Sequence, residues 1–205
     1  MNRILAISGS LRKGSYNSAL LRAAHDLFPE RIVLGDIRGI PLYDGDLEEQ
    51  GVPDAVVRLK AQLADSDGLL LATPEYNNSF PGVLKNALDW LSRPNPEPSG
   101  VFRDLPVAVI GASPGGFGTV LAQNAWLPVL RTMGARHFVG GRLMVSAVNR
   151  VFNDDLVLAD EDVKEKLTRF LEDFLAFASK DRYPFIRRRD CRRPVMTPSG
   201  YGVNR

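Results

Sequence analysis

The sequence predicts an α/β domain in which an open parallel sheet carries helices on both faces. Five short apolar runs lack the polar alternation of a solvent-facing strand, which is typical of strands buried within a parallel sheet. Segments with helical apolar spacing separate these runs, and such an alternation implies right-handed crossovers between parallel strands. The chain has 205 residues, of which 44% are apolar and 24% charged, so one domain with a full core is expected.

Three strands are expected in the first half of the chain, each of them a short apolar run. They cover residues 3–8, residues 31–34 and the stretch from 67 or 68 to 73. A helix begins at Asn17, a residue type that caps helices well, and Pro29 ends it. A second helix covers residues 54–64, whereas Gly, Pro and Asp between residues 35 and 52 predict a long loop.

The second half of the chain continues the alternation with two strands and three helices. The strands are expected at residues 106–112 and 136–140, and the helices at residues 81–91, 119–133 and 161–179. Proline stands in the opening turn of the first of these helices, where a missing N–H costs nothing. The proline-rich stretch 93–100 cannot continue a helix and predicts a connector.

Ligands of open parallel sheets bind beyond the carboxyl ends of the strands, near the point where the strand order reverses. The loops after the first, third and fourth strands are therefore the expected site. The first loop, residues 8–17, leads into a helix start, where backbone N–H groups and the helix dipole favour an anion. The hydroxyls of Ser10 and Ser15 and the amide of Asn17 suit phosphate oxygens. The guanidinium of Arg12 adds a bidentate, charge-assisted contact.

The same loop comes close to a nucleotide-binding P-loop without matching it. Gly9 and Gly14 have the required spacing, but Ser15 and Tyr16 stand where that motif needs Lys and Ser or Thr. Because the lysine that contacts a β- or γ-phosphate is missing, the loop favours a monophosphate over nucleotide hydrolysis. An ordinary Ser/Gly turn is the alternative interpretation.

The second and third loops have compositions that suit a flat ring. Residues 73–82 are stiffened by Pro74 and Pro81, and Tyr76 can pack beside a heteroaromatic ring. Residues 112–119 contain three glycines, which allow the backbone to approach a ligand closely. Taken alone, each loop also fits an ordinary turn. Lys85 and Asn86, on the following helix, either serve the site or are solvated surface residues.

The stretch SGSLRKGSYN, followed about sixty residues later by PEYNNSFPGVLKNALDW, resembles the NADPH-dependent FMN reductase family, in its quinone/chromate reductase and azoreductase branch. The resemblance covers residues 3–180. It implies a flavodoxin-like three-layer sandwich whose five-stranded parallel sheet has the order 2-1-3-4-5. It also implies one non-covalent FMN per subunit, with NADPH or NADH as co-substrate, and a homodimer or a dimer of dimers (a homotetramer). Independently of the resemblance, Trp90 and Trp126 are interpreted as core or interface anchors, and the preference of tryptophan for subunit contacts favours the dimer surface for Trp126.

The resemblance also assigns cofactor-binding residues. The FMN phosphate would be held by Ser10, Arg12, Ser15, Tyr16 and Asn17. The isoalloxazine ring would be lined, mainly through backbone groups, by Pro74, Glu75, Tyr76 and Asn77. Its other edge would be closed by Ser113, Gly115 and Gly116. No side chain is assigned as catalytic, because the flavin carries the chemistry.

The function implied by the resemblance is an enzyme that passes a hydride from NAD(P)H to FMN. Two electrons then go to a small-molecule acceptor such as a quinone, an azo compound, chromate or free flavin. The alternative is a flavodoxin-type electron carrier that binds FMN but meets a protein partner. Carriers usually need a strongly charged docking face, and the charge of the predicted domain does not favour one.

Charge is unevenly distributed along the chain. Residues 181–205 carry seven arginines and two aspartates, a formal charge of +5 in a chain of +2, so residues 1–180 carry −3. We therefore expect an FMN-binding domain at 1–180 and a basic C-terminal extension at 181–205. The extension is interpreted as a solvated or subunit-packing segment, and nucleic acid is not expected as a partner.

The remaining reactive residues predict no further site. His25 and His137 lie far apart in the sequence, without neighbours at metal-ligand spacing, so no metal is expected. Cys191 is the only cysteine, which excludes an internal disulfide and favours a reducing compartment. With no long apolar run and no leader-like start, we expect a cytoplasmic protein that does not enter a membrane.

Overall fold

The computed structural model describes residues 2–93 and 100–179 of the chain. Within these residues, one parallel sheet has the order β2-β1-β3-β4-β5, and a further short strand, β6, also pairs with β4. The strands are β1 (Ile4–Ser8), β2 (Ile32–Gly35), β3 (Gly68–Ala72), β4 (Pro106–Ala112), β5 (Arg136–His137) and β6 (Leu143–Val145). The predicted fold class, a flavodoxin-like sheet of order 2-1-3-4-5, is confirmed.

The fifth position of the sheet differs from the prediction of one strand at residues 136–140. β5 pairs with the start of β4 and β6 pairs with its end, and the chain leaves the sheet between them. Gly140 allows this departure, because the chain there folds over the ring of Phe138 and a Cβ would lie only 2.7 Å from its Cε2. The Phe138 ring packs in the core, with its centroid 5.4 Å from that of Phe170.

The helices largely follow the predicted apolar spacing. They are α1 (Tyr16–Leu27), α2 (Gly45–Gln50), α3 (Asp54–Ala64), α4 (Gly82–Leu91), α5 (Val120–Thr132) and α6 (Glu161–Ser179), and a short 3₁₀ helix covers Val148–Arg150. The predicted cap of the first helix is wrong by two residues. The N-cap is Ser15, whose backbone is extended and whose side chain accepts a hydrogen bond from the backbone N–H of Ser18 at 3.1 Å.

The predicted loop at residues 35–52 contains the short helix α2. Asp44 caps it by accepting a hydrogen bond from the backbone N–H of Asp46 at 3.0 Å. None of its six residues is buried, so no apolar spacing marked it in the sequence. The loop is held to α4 through the carbonyl of Pro41, which accepts hydrogen bonds from Asn86 Nδ2 and Trp90 Nε1 at 2.8 and 2.9 Å.

Two apolar cores form on opposite faces of the sheet because successive strand residues point to opposite sides. Ile4 and Ala6 of β1 face the first core, and Leu5 and Ile7 face the second. Helices α1 and α6 cover the first face, whereas α3, α4 and α5 cover the second. This arrangement leaves the carboxyl ends of the strands uncovered by helices, so the loops that follow the strands form that edge of the molecule.

Two sequence predictions lie wholly or partly outside the described residues. They are the connector at 93–100, of which residues 94–99 are not described, and the basic extension at 181–205. Across the described ranges, every helix is too short or too polar to span a bilayer.

Candidate cofactor site

The first and second loops pack directly against each other at Gly9. A Cβ at this position would lie 2.9 Å from Pro81 Cγ and 3.0 Å from Pro74 Cδ, the two prolines that bracket the second loop. The backbone N–H of Gly9 also donates to the carbonyl of Ala72 at the end of β3, at 2.8 Å. Glycine at position 9 therefore allows the two loops to meet without a gap.

The second loop is joined to α5, the helix that follows the third loop, by the carboxylate of Glu75. Its Oε2 accepts hydrogen bonds from the backbone N–H groups of Leu121 and Ala122, at 2.8 and 3.0 Å. These are in the first turn of α5, where a negative charge is stabilised by the helix dipole. The side chain of Glu75 is thus directed to α5, which agrees with a ring contact made through the backbone of this loop.

The start of α1 is joined to the end of β4 by Asn17, whose side chain is buried. Its Nδ2 donates to the carbonyl of Ala112 at 2.9 Å, and its Oδ1 accepts from the N–H of Ala112 at 3.0 Å. The sequence predicts that this amide binds the phosphate, whereas both of its ends are engaged by one residue of β4. Asn17 positions the helix start, and its backbone N–H is the group it offers to a ligand.

The loop between β1 and α1 presents a set of donors suited to an anion. No described residue accepts a hydrogen bond from the backbone N–H groups of residues 13–17. Ser15 uses its oxygen as the helix cap and retains its hydroxyl proton. Ser10 is also buried, and its Oγ accepts from the N–H of Arg12 at 3.4 Å. The guanidinium of Arg12 forms no hydrogen bond or ion pair with another described residue.

These donors fit the phosphate of FMN. Backbone N–H groups at a helix start, a hydroxyl and a guanidinium match the acceptor oxygens of a phosphate monoester. A Cβ built on Gly14 meets no atom within 4 Å, so the space in front of the loop is open.

The second loop contains a tight turn that the sequence reasoning did not identify. Asn77 and Asn78 both adopt left-handed backbone angles, with φ of 49° and 62°. Tyr76 and Ser79 exchange two backbone hydrogen bonds across them, of 2.9 and 3.0 Å. Asparagine tolerates this region better than other side chains, so the Asn-Asn pair was the available signal. The turn holds Tyr76 half-exposed beside the site.

The third loop is closed at its base by Ser113. The Ser113 hydroxyl donates to the carbonyl of Gly118 at 2.7 Å, so this side chain is engaged within the loop. A Cβ on Gly116 would meet no atom within 4 Å, which leaves this part of the backbone open to a ligand. Phe117, at the tip of the loop, is 85% exposed.

Residues 147–152 form a fourth side of the site that no sequence motif indicated. The hydroxyl of Tyr16 donates to Asn149 Oδ1 at 2.9 Å, and the Tyr16 ring centroid lies 5.6 Å from that of Phe152. Tyr16 therefore directs its hydroxyl to this segment. The group that Tyr16 contributes to the anion-binding donors is its backbone N–H at the start of α1.

Three other predictions are resolved by local contacts. Trp126 is fully buried rather than at a subunit surface, because its ring stacks on Phe80 at 4.3 Å and its Nε1 donates to Thr73 Oγ1. Lys85 forms an ion pair with Asp89 on its own helix at 2.7 Å. Asn86 is engaged with the 35–52 loop through its side-chain amide.

Comparisons with known proteins agree with this geometry. A model of the NADPH-dependent FMN reductase family matches residues 2–150. The chain is 44% identical over 172 residues to an NAD(P)H-dependent FMN reductase of Pseudomonas aeruginosa, covering 83% of this chain and 91% of that protein. It is 34% identical over 187 residues to a quinone reductase of Escherichia coli, covering 87% and 96%.

A solved structure shows the same fold. The flavoenzyme NAD(P)H:(acceptor) oxidoreductase FerB of Paracoccus denitrificans superposes with a TM-score of 0.79 at 32% identity, covering 88% of this chain and 98% of that one. The chain belongs to the NADPH-dependent FMN reductase family. The sequence-based predictions of an oxidoreductase, with FMN as cofactor and NAD(P)H as co-substrate, are confirmed at the level of this family.

Proposed function

We propose that this protein is an FMN-containing NAD(P)H oxidoreductase that reduces small aromatic acceptors, quinones above all. The observation that carries the proposal is the meeting of three loops at one sheet edge, with N–H donors at the start of α1 that have no acceptor among residues 2–93 and 100–179. Relatives of this chain are named for quinone reduction, including a 2-hydroxy-1,4-benzoquinone reductase of Burkholderia that is 46% identical over 124 residues. Azo compounds, chromate and free flavin are further candidate acceptors.

The phosphate end of the site is assigned to the loop between β1 and α1. The backbone N–H groups of residues 13–17 and the hydroxyls of Ser10 and Ser15 would donate to the phosphate. Arg12 would add a charge-assisted contact from the solvent side. The dipole of α1 favours the same negative charge.

The ring end is assigned to the second and third loops. Backbone groups of Pro74, Glu75, Tyr76 and Asn77 would line one edge, and the glycine backbone at 115 and 116, with Ser113, the other. When bound, FMN supplies the redox chemistry, accepting a hydride from NAD(P)H and delivering two electrons to the acceptor. The chain's own contribution is orientation: the Tyr76–Ser79 turn and the Glu75 cap keep the ring-binding edge rigid.

An enzyme is favoured over an electron carrier by the surface around the site. Tyr76 is 49% exposed and Phe117 is 85% exposed, so the rim presents apolar rings. A docking face for a protein partner would present clustered charge. An apolar rim suits planar, weakly charged molecules such as a nicotinamide ring or a quinone.

Assembly and location extend the proposal. We propose a homodimer or a dimer of dimers in the cytoplasm, with residues 1–180 as the FMN-binding domain. Leu121 and Leu127 on α5 are 43% and 41% exposed and are candidates for the subunit contact. Leu121 lies next to the site, because its backbone N–H donates to the carboxylate of Glu75. Sedimentation equilibrium tests this assembly, and a monomer at all concentrations would contradict it.

The function is tested by reconstituting the purified apoprotein with FMN and mixing it rapidly with NADPH or NADH. We expect FMN to remain bound after gel filtration and its visible absorbance to disappear on mixing, then return when benzoquinone is added. Bound FMN without loss of absorbance would leave the electron carrier as the function. Protein that retains no FMN would overturn the site itself.

A further inference from the structure

The segment 147–152, here called the strap, touches the site at two separate places. Towards the third loop, Ala147 N–H donates to the carbonyl of Gly115 at 3.2 Å, and Val148 N–H donates to the carbonyl of Ser113 at 3.4 Å. Towards the first loop, Asn149 Oδ1 accepts the hydrogen bond from the Tyr16 hydroxyl at 2.9 Å. The strap therefore connects the two ends of the site that the proposed function assigns to the ring and to the phosphate.

The strap is held in one conformation by packing and by its backbone. Val148, Val151 and Phe152 are buried in the core beneath α1 and α6. Ala147 adopts a left-handed conformation, with φ of 48° and ψ of 43°. A non-glycine residue persists there only when its surroundings determine it, so the backbone that carries the exposed Asn149 is held in one place.

Tyr16 is the residue through which Asn149 reaches the phosphate loop. It is the first residue of α1, directly after the cap Ser15, and its backbone N–H belongs to the donor set described above. Its ring packs on Phe152 and its hydroxyl bonds to Asn149, so both ends of the side chain are anchored to the strap. Together with the Asn17–Ala112 contact, this anchored side chain holds the first turn of α1.

We propose that Asn149 is a positioning residue for recognition of the flavin phosphate. Asn149 acts through the Tyr16 hydroxyl to orient the N–H donors at the start of α1. This inference rests on the proposed function of the loop between β1 and α1. Because the effect passes through the phosphate end, it selects phosphorylated flavin over riboflavin, which lacks the phosphate and shares the ring.

The test measures dissociation constants of FMN and of riboflavin from the apoprotein by flavin fluorescence, for wild type, Asn149→Ala and Tyr16→Phe. Losing one hydrogen bond is expected to weaken FMN by about 3- to 10-fold. Riboflavin is expected to change by less than about 2-fold, since its ring contacts are untouched. The double variant should be no worse than the weaker single variant, because both substitutions remove the same interaction.

Asn153→Ala is the matched control. Asn153 follows the strap, and its Oδ1 accepts one hydrogen bond, from Val157 N–H at 2.8 Å, rather than one from Tyr16. Its replacement should leave the preference for FMN over riboflavin as in wild type. The inference would be overturned if Asn149→Ala weakened the binding of both flavins equally, or if the effects of the two single variants on FMN binding were additive. The same loss of preference in Asn153→Ala would also overturn it. A wild-type protein without any preference for FMN would instead overturn the proposed phosphate site.

If Asn149→Ala unfolds, Tyr16→Phe alone decides the matter. It removes the same hydrogen bond while keeping the ring on Phe152. An unchanged flavin preference in a folded Tyr16→Phe variant would overturn the inference.

Discussion

Glycine is required at position 9 because two rigid proline rings occupy the space that a side chain would need. In Gly9→Ala the new Cβ would lie within about 3 Å of Pro74, Pro81 and Leu84. The first and second loops would have to separate. Overpacking of this kind costs about 1–3 kcal/mol of the free energy of unfolding, which urea denaturation of the apoprotein measures. FMN affinity should fall with it, because both loops contribute to the site.

Gly45→Ala is the control for that substitution. Gly45 lies at the start of α2, and a Cβ there meets no atom within 4 Å. The free energy of unfolding should change by less than about 0.5 kcal/mol, as for other unconstrained surface positions. Equal effects of the two substitutions would show that the contact at Gly9 does not limit the packing of the loops.

His137 makes stability depend on pH. Its burial, and secondarily the nearby Arg142, lower the pKa of its imidazole below the usual 6.5. The unfolded chain therefore takes up the proton first, so stability is lost as the pH falls from about 6.5 through the lower folded pKa. His137→Gln should lose less stability than wild type between neutral and mildly acidic pH in urea denaturation, and Arg142→Gln should lie between them. Parallel pH profiles for all three proteins would contradict this.

At the scale of elements, the start of α1 combines a structural cap with the proposed phosphate contact, and one substitution separates the two. Aspartate caps helices as well as serine does, so Ser15→Asp should keep the stability of the apoprotein within about 0.5 kcal/mol. It also places a negative charge where the phosphate is proposed to bind. At a separation near 4 Å, two like unit charges near a protein surface repel each other by about 4 kcal/mol. FMN should therefore bind at least about 100-fold more weakly, whereas riboflavin should bind nearly as before.

Ser15→Ala completes this comparison. It should lower the free energy of unfolding by about 1 kcal/mol through loss of the cap, and it brings no charge. FMN should therefore bind more tightly to Ser15→Ala than to Ser15→Asp, although the alanine variant is the less stable. The opposite order of affinities would contradict the assignment of the FMN phosphate to the start of α1.

The helices and strands differ in how well their bounds can be predicted from the sequence. The range of α6, Glu161–Ser179, matches the prediction because its apolar spacing is long and regular. The fifth strand was predicted three residues too long, because the packing of Phe138 on α6, which is distant in sequence, has no local signal. The three candidate loops were selected from their composition, but the contacts that two of their side chains make were not predicted. Glu75 and Asn17 bond to partners 46 and 95 residues away, and no local pattern encodes such contacts.

At the scale of the whole molecule, the three site loops are tied to both cores, so binding and folding are coupled. The Asn17–Ala112 contact joins α1 on one face to β4, and the Glu75 carboxylate joins the second loop to α5 on the other. Ligand that binds only the folded protein stabilises it by RT ln(1 + [L]/Kd), about 2.7 kcal/mol at a hundredfold excess over Kd. A molecule of this size should then melt roughly 5–10 °C higher with FMN.

The extent of the folding unit can be tested by truncation. The last described helix, α6, places Leu167, Leu171 and Phe174 in the first core and ends at Ser179. Removing residues 181–205 should therefore leave the melting temperature and the FMN dissociation constant of the remaining 1–180 chain unchanged. Removing α6 as well, by ending the chain at Asp160, should abolish cooperative unfolding, because large apolar side chains of the first core would lose their cover. A 1–180 chain that fails to fold would place the basic extension inside the domain, where its charge would have to be paired.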